Sequence, residues 1–327
     1  MNNFFRTKFV KYLRIITINL LLFVCLWFLL DLFFYSYSLK QASILNVTNL
    51  LRMYKTDLIY YQDSDDYFSG NEDNTEHKGR SPDGLEYKNA EPIVIFGCSF
   101  AFGHHLKASQ TFSRKLSQQL KRPVYNRAFC GAGFQHALQQ SLSYNFYKTV
   151  PPSKTVIYVL IEDHFQRMAG ETFFLYDHYL NLHYKYKNGK FIIDNYNNLL
   201  LKFLKTSYFR RYISKSLNYH YYNNPKYNEQ ITDEALAYLI KTRDNLENHW
   251  NKNVNFVVFS YLPSDKSELL IRKLKKNGFK VVSEKDLTNE DLMDKKYQVS
   301  GDSHPNEKVW TLLTPLFIKK LKSMNVL

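Results

Sequence analysis

A chain of 327 residues with 45% hydrophobic and 17% aromatic side chains can bury one sizeable core, and only three cysteines exclude a disulfide-stapled scaffold. The formal net charge of +14 is scattered as lysines among tyrosines and asparagines, not gathered into a patch. That pattern argues against nucleic-acid binding and leaves anionic lipid or acidic glycans as favoured surroundings.

Arg6, Lys8, Lys11 and Arg14 make residues 1–14 a basic segment ahead of an apolar run, 15–35, whose only ionisable side chain of note is Asp31. At the helical rise that run spans about 30 Å, one bilayer core. Cations on its N-terminal side place the N-terminus in the cytoplasm and the rest across the cytoplasmic (inner) membrane, on the periplasmic side. The far end, Leu29-Leu30-Asp31-Leu32-Phe33-Phe34, lacks the small-x-small pattern of a cleaved signal, and Val24 spoils a lipoprotein box at Cys25. The run therefore reads as an uncleaved single-pass anchor. Residues 36–90, polar and acidic around Asp63-Ser64-Asp65-Asp66, read as a stalk.

From residue 91 the pattern alternates strand and helix, as a doubly wound α/β domain does. The β-branched run Ile93 to Phe96 predicts a buried strand, and the turn Gly97-Cys98-Ser99-Phe100-Ala101-Phe102-Gly103 presents Ser99 at a sheet edge, as a candidate nucleophile. A helix follows near Ser109 to Leu120, then a short strand, Pro123 to Asn126. The loop Cys130-Gly131-Ala132-Gly133 opens a helix from Phe134 to Tyr147, so its N–H groups suit an anion. Cys98 and Cys130 precede Ser99 and Gly131 and either pair or remain two separate thiols; the latter is the preferred reading. A strand from Thr155 to Ile161 leads into Glu162-Asp163-His164.

Between about 170 and 225 the composition shifts to tyrosine, asparagine and lysine, including Tyr179, Tyr184, Tyr186, Tyr208, Tyr212 and Tyr219 to Tyr222. This insertion is either a cap offering aromatic faces to a sugar or a solvated excursion with its own small core. The α/β rhythm then resumes with helices Thr232–Trp250 and Ser264–Lys276, strands Asn255–Tyr261 and Phe279–Val282, and a last helix, Glu307–Met324.

Just before that helix stands Gly301-Asp302-Ser303-His304-Pro305-Asn306. A serine hydroxyl needs a base to take its proton, and the base needs a third group to fix its tautomer; His304 and Asp302 supply both on one loop. Taken alone, Ser99 reads as turn chemistry and Asp302 or Ser303 as a helix cap. His77, His104, His105, His136 and His178 lack metal-ligand spacing and read as surface or packing residues, so neither metal nor cofactor is expected.

Gly97-Cys98-Ser99-Phe100 with Gly103, Asn126-x4-Gly131 and Asp302-x-His304-Pro305-Asn306 together resemble the SGNH/GDSL hydrolase superfamily, over roughly residues 90 to 325. The resemblance implies a five-stranded, mostly parallel sheet flanked by helices. It also implies Ser99 as nucleophile, His304 as base, Asp302 as its orienting partner, and the N–H groups of Ser99 and Gly131 as oxyanion donors. Members include esterases, lipases, deacetylases and membrane-tethered enzymes that add or remove O-acyl groups on glycans, so the expected substrate is an acylated glycan or small ester. Two positions depart from the pattern. The usual Gly-Asp-Ser has become Gly97-Cys98-Ser99, and the Gly-x-Asn-Asp of the third block is missing after Ile161. His164, held by Asp163 or Glu162, is then the expected substitute oxyanion donor. The alternative is a catalytically impaired, membrane-tethered glycan-binding or assembly protein on the same fold.

Overall fold

The computed structural model describes residues 3–38, 82–168, 184–187, 190–193 and 224–327. The chain divides into two compact units, Met1–Gln62 with Tyr196–Leu217, and Asp63–Asn195 with Asn218–Leu327. In the first unit, helix α1 (Asn3–Ser38) runs unbroken through the predicted apolar segment. Ile15, Ile16, Leu20, Leu21, Leu22, Phe23, Leu26, Leu29 and Phe33 are all exposed on it. Among the described residues no helix is long and apolar enough to cross a membrane, and side chains of α1 are described without a break only over 14–30.

The second unit is organised by strands β1 (Ile93–Phe96), β2 (Val124–Asn126), β3 (Thr155–Leu160), β6 (Asn255–Ser260) and β7 (Lys280–Ser283). Their spatial order is β2-β1-β3-β6-β7 and every pairing is parallel. β1 and β3 are buried along their whole length, the condition under which runs such as Ile93-Val94-Ile95-Phe96 carry no polar face.

Because strand side chains alternate, the sheet feeds two cores. Ile93, Ile95, Ile157, Val159, Val257 and Phe259 face helices α3 (Phe112–Leu120) and α9 (Glu307–Ser323). Val94, Phe96, Val156, Tyr158, Phe256 and Val258 face α4 (Phe134–Leu142), α5 (Tyr144–Thr149), α7 (Asn228–Trp250) and α8 (Asp265–Lys276). Two short helices, α2 (Ser99–Phe102) and α6 (Asp163–Arg167), follow β1 and β3.

Two sequence expectations need correction. The single helix expected from Phe134 to Tyr147 is broken at Ser143, whose extended backbone redirects α5 so that Phe146 is buried and stacks on Phe96 at 5.8 Å. The structured domain also begins before residue 91. Asp83 and Val124 exchange two 2.9 Å backbone hydrogen bonds, attaching residues 82–90 to the free edge of β2. Residues 39–81 of the expected stalk lie outside the described residues. The insertion is described only as a hairpin, β4 (Tyr184–Lys187) with β5 (Lys190–Ile193), whose Phe191 meets Tyr238 of α7 edge-on at 5.3 Å. Tyr179, Tyr208, Tyr212 and Tyr219 to Tyr222 lie outside the described residues.

The first core is tightened by an aromatic cluster: Phe112 to Trp310 at 5.0 Å, Phe112 to Phe317 at 5.5 Å and Phe259 to Phe317 at 4.8 Å. Phe317 is fully buried, so Phe317→Ala should cost about 3–5 kcal/mol. Chemical denaturation of the full-length protein measures this, and a loss under about 1 kcal/mol would contradict the packing described.

Candidate active site

The strand order reverses between β1, which leads to β2 on one side, and β3, which leads to β6 on the other. A doubly wound sheet opens its crevice there, beyond the C-terminal strand ends. Ser99 lies at that edge. Gly97 precedes it at φ 151°, and a Cβ in its place would stand 2.8 Å from the Ala101 Cβ and 3.2 Å from the Val159 carbonyl. Only glycine lets the turn close this tightly onto β3. The turn is latched from β2 by Asn126, whose amide donates to the Ala101 carbonyl (2.9 Å) and Ser113 Oγ (3.2 Å) while its Oδ1 accepts the Ala128 N–H (3.2 Å).

The second piece is the loop before α9. Gln298 bridges Pro305, the Val299 N–H donates to the His304 carbonyl (2.9 Å), and Asn306 donates its amide to the carbonyls of Lys296 and Gln298, both at 2.9 Å. Asn306 also caps α9 by accepting the Lys308 N–H. The cap is therefore Asn306, not Asp302 or Ser303, which leaves the Asp302 carboxylate for His304. Asp302 Oδ1 accepts both the His304 backbone N–H (3.1 Å) and Nδ1 (2.5 Å). With Nδ1–H hydrogen-bonded to the carboxylate, the ring presents Nε2 as an acceptor, 2.7 Å from Ser99 Oγ. The structure thus brings Ser99, His304 and Asp302 into one hydrogen-bonded chain. Burial alone would raise the Asp302 carboxyl, but the His304 hydrogen bonds and the neighbouring His304 and His105 imidazoles hold it below the usual carboxylate range.

Gly131, at φ 79°, bends the loop beyond β2. Among the described residues, the backbone N–H groups of Ser99 and Gly131 have no backbone acceptor, as oxyanion donors require. The Gly133 N–H, by contrast, is given to His136 Nδ1 at 2.8 Å. Arg167 braces this loop from behind, donating to the Ala132 carbonyl at 2.8 Å and pairing with Asp163 at 3.3 Å. Sequence reasoning missed it, since nothing marks a lone arginine at the end of a short helix.

His164 does not join the site. Its side chain is wholly buried, Nδ1 meets the Tyr158 hydroxyl at 2.9 Å, and its ring lies edge-on to Phe134 in the second core. An imidazole enclosed on every side cannot donate to an oxyanion approached from solvent. Its expected holders are engaged elsewhere: Asp163 with Arg167, and Glu162 across to Ser264 and Lys266 of the α8 start.

His104 and His105, read from sequence as surface or packing residues, are gathered at the triad by the fold. His105 Nε2 lies 3.1 Å from Asp302 Oδ2, and the His104 ring centroid lies 5.1 Å from that of His304. One donor atom from each of His104, His105 and Asp302 falls within 4.8 Å of the others, a spacing able to hold a metal ion. Cys98 and Cys130 are separate thiols; Cys130 Sγ sits 3.4 Å from His104 Nδ1. His77 and His178 lie outside the described residues.

A serine, a histidine and an aspartate are thus linked at the switch point of a five-stranded parallel sheet. No protein-family model and no curated protein matches the chain. Among solved structures it is similar to a lipolytic protein of the G-D-S-L family from Desulfitobacterium hafniense, at 11% identity and a TM-score of 0.38, over 73% of this chain and 100% of that one. It is also similar to a G-D-S-L lipolytic family member from Veillonella parvula, at 12% and 0.37 over 70% and 97% of the two chains. A family two carbohydrate esterase from Clostridium thermocellum, solved with cellohexaose, aligns at 11% and 0.37 over 72% and 65%.

Burial lowers His136 from 6.5 to about 3, helped by the Arg167 charge, and drives His164 lower than its ordinary value for the same reason. Both rings stay neutral in the fold while their unfolded counterparts charge below about pH 6.5, so the unfolded chain binds more protons and stability falls as pH falls from there towards 3. His136 contributes a slope of about 1.4 kcal/mol per pH unit across that window, and His164 adds to the loss in the same direction. Denaturation between pH 7 and pH 4 should show this loss, and His136→Gln should flatten it by about one proton's worth. An unchanged slope in the variant would exclude His136 as a source.

Proposed function

We propose that the protein is a serine-dependent esterase or O-acyltransferase. The observation that carries this is the Ser99–His304–Asp302 chain, with contacts of 2.7 and 2.5 Å on the two faces of one imidazole. Ser99 Oγ attacks the ester carbonyl as His304 Nε2 takes its proton, and Asp302 stabilises the imidazolium that forms. The oxyanion rests on the N–H groups of Ser99 and Gly131. Collapse breaks the ester bond, the proton passes from His304 to the departing alcohol, and an acyl-Ser99 remains. Water or a glycan hydroxyl then gives its proton to His304 as it attacks the acyl group, and collapse breaks the bond from the acyl carbon to Ser99 Oγ while His304 returns the proton to that oxygen.

The substrate in this reading is an acylated glycan or small ester, and the Tyr-rich stretch from about 170 to 225 would offer aromatic faces to a sugar. The reaction takes place outside the cytoplasmic membrane, with residues 15–35 as the anchor. The support is the cationic flank Arg6, Lys8, Lys11 and Arg14 together with the exposed apolar side chains of α1. A reporter fused after Leu327 should therefore be active only outside the cytoplasm, and activity confined to the cytoplasm would overturn the location.

One observation favours a second reading, an impaired hydrolase retained for glycan binding or assembly: His164, the expected substitute for the third oxyanion donor, lies in the core and not at the site. Losing one donor costs about two to three orders of magnitude in turnover. Covalent labelling by a fluorophosphonate separates the two readings, since only an activated Ser99 reacts. Ser99→Ala and His304→Ala should each abolish most turnover of a short-chain aryl ester, and the double variant should be little worse than either alone. Asp302→Asn should fold normally and lose about four orders of magnitude, because the tautomer of His304 is no longer fixed. Additive losses would reject a shared mechanism.

A further inference from the structure

We infer that His104, His105 and Asp302 form a reversible zinc site at the rim of the triad, through which a divalent transition metal switches off the activity proposed above; the inhibitory part rests on that reading. Adjacent side chains in an extended loop diverge, yet these two rings lie with centroids 3.8 Å apart. The cause is His105, whose φ of 63° is a left-handed conformation costly to any residue with a Cβ. It turns the second ring back beside the first and delivers Nε2 to Asp302 Oδ2 at 3.1 Å, across 197 positions of sequence.

The donor set suits zinc. Two imidazoles and one carboxylate are the three protein ligands of many open zinc sites, with metal–donor distances of about 2.0–2.2 Å and hence donor–donor spacings of roughly 3.3 Å. The Asp302–His105 pair already has that spacing, and the full set lies within 4.8 Å, so side-chain rotation of an ångström or so closes it. The Cys130 thiol, 3.4 Å from His104 Nδ1, adds a soft group beside the cluster, favouring zinc over magnesium or calcium. His105 is exposed, so a metal reaches it from solvent. His304 keeps its hold on the other carboxylate oxygen, Oδ1. A dication on Oδ2 neutralises the charge that stabilises the His304 imidazolium, so binding slows attack by Ser99 without displacing any member of the triad.

Titration of the full-length protein with zinc in a chelator-buffered solution, followed by calorimetry, tests the site apart from any activity. One equivalent should bind to the wild type and to Ser99→Ala alike. Because outer-shell losses alone weaken metal sites about 10- to 100-fold, removing a ligand in His104→Ala or His105→Gln should weaken binding by about tenfold or more. Far-ultraviolet circular dichroism identifies any variant that fails to fold, and the other then decides. In parallel, ester turnover of each protein is compared with itself before zinc, after zinc and after chelation. Reversible inhibition of the wild type that is lost or shifted to higher zinc in the variants supports the proposal. Absence of one-to-one binding, binding indifferent to both substitutions, or zinc-saturated protein with undiminished turnover overturns it. If the chain hydrolyses no ester, the esterase reading and the switch both fall, while the calorimetry still decides the metal site.

Discussion

The hydrogen bond between Ser99 and His304 joins residues 205 positions apart, and it exists only because the chain returns to one edge of one sheet. Ser99 is placed by β1 and the crowded turn at Gly97. His304 is placed by the loop that Asn306 ties down before α9, a helix whose Trp310 and Phe317 pack against Phe112 on the same face of the sheet. The first core is therefore the mechanical link between Ser99 and His304. The loop that carries Gly131 enters the same core through Ala128, Phe129 and Ala132, and polar groups form the floor behind it.

That floor is unusually polar for a buried region. Arg127 is buried and lowered to about 10 by desolvation, yet its Nε reaches Gln140 at 3.3 Å and Gln140 returns a bond to the Arg127 carbonyl at 2.9 Å. Arg167 holds the Ala132 carbonyl and receives the Gln135 amide on its own carbonyl at 2.7 Å. Buried polar groups left unpaired are costly, so these reciprocal bonds confine the loop to one arrangement. Neutral His136 adds the Gly133 N–H to the same set.

Much of this was legible in the sequence, for identifiable reasons. The β-branched runs at 93–96, 155–160 and 255–260 have no polar face, so their burial and parallel pairing follow from composition. Ser99, Asp302 and His304 were readable because their glycine and proline neighbours mark loops, where chemistry-bearing side chains stand free of the core. What failed were statements about direction. The short irregular segment at 162–164 gives no period, so nothing in it tells whether His164 faces the site or Tyr158. The pairing of His105 with Asp302 depends on one backbone torsion at a residue that rarely adopts it. The break at Ser143 depends on which of Tyr144 and Phe146 finds a core to enter, a tertiary choice that local pattern does not encode.

Asp302 and His304 are separated by a single residue and share an additional bond, from the His304 backbone to the same carboxylate oxygen that holds its ring. Asp302 and His304 thus form a prefabricated part whose internal alignment is local, whereas Ser99 arrives from a distant element. Distortion of the domain then acts unequally: a small slip between the β1 turn and the α9 loop misaligns the serine while the imidazole and carboxylate remain in register. The geometric tolerance of the site is concentrated in one interatomic gap. A sequence changing elsewhere in the first core is constrained chiefly by how well it preserves that gap.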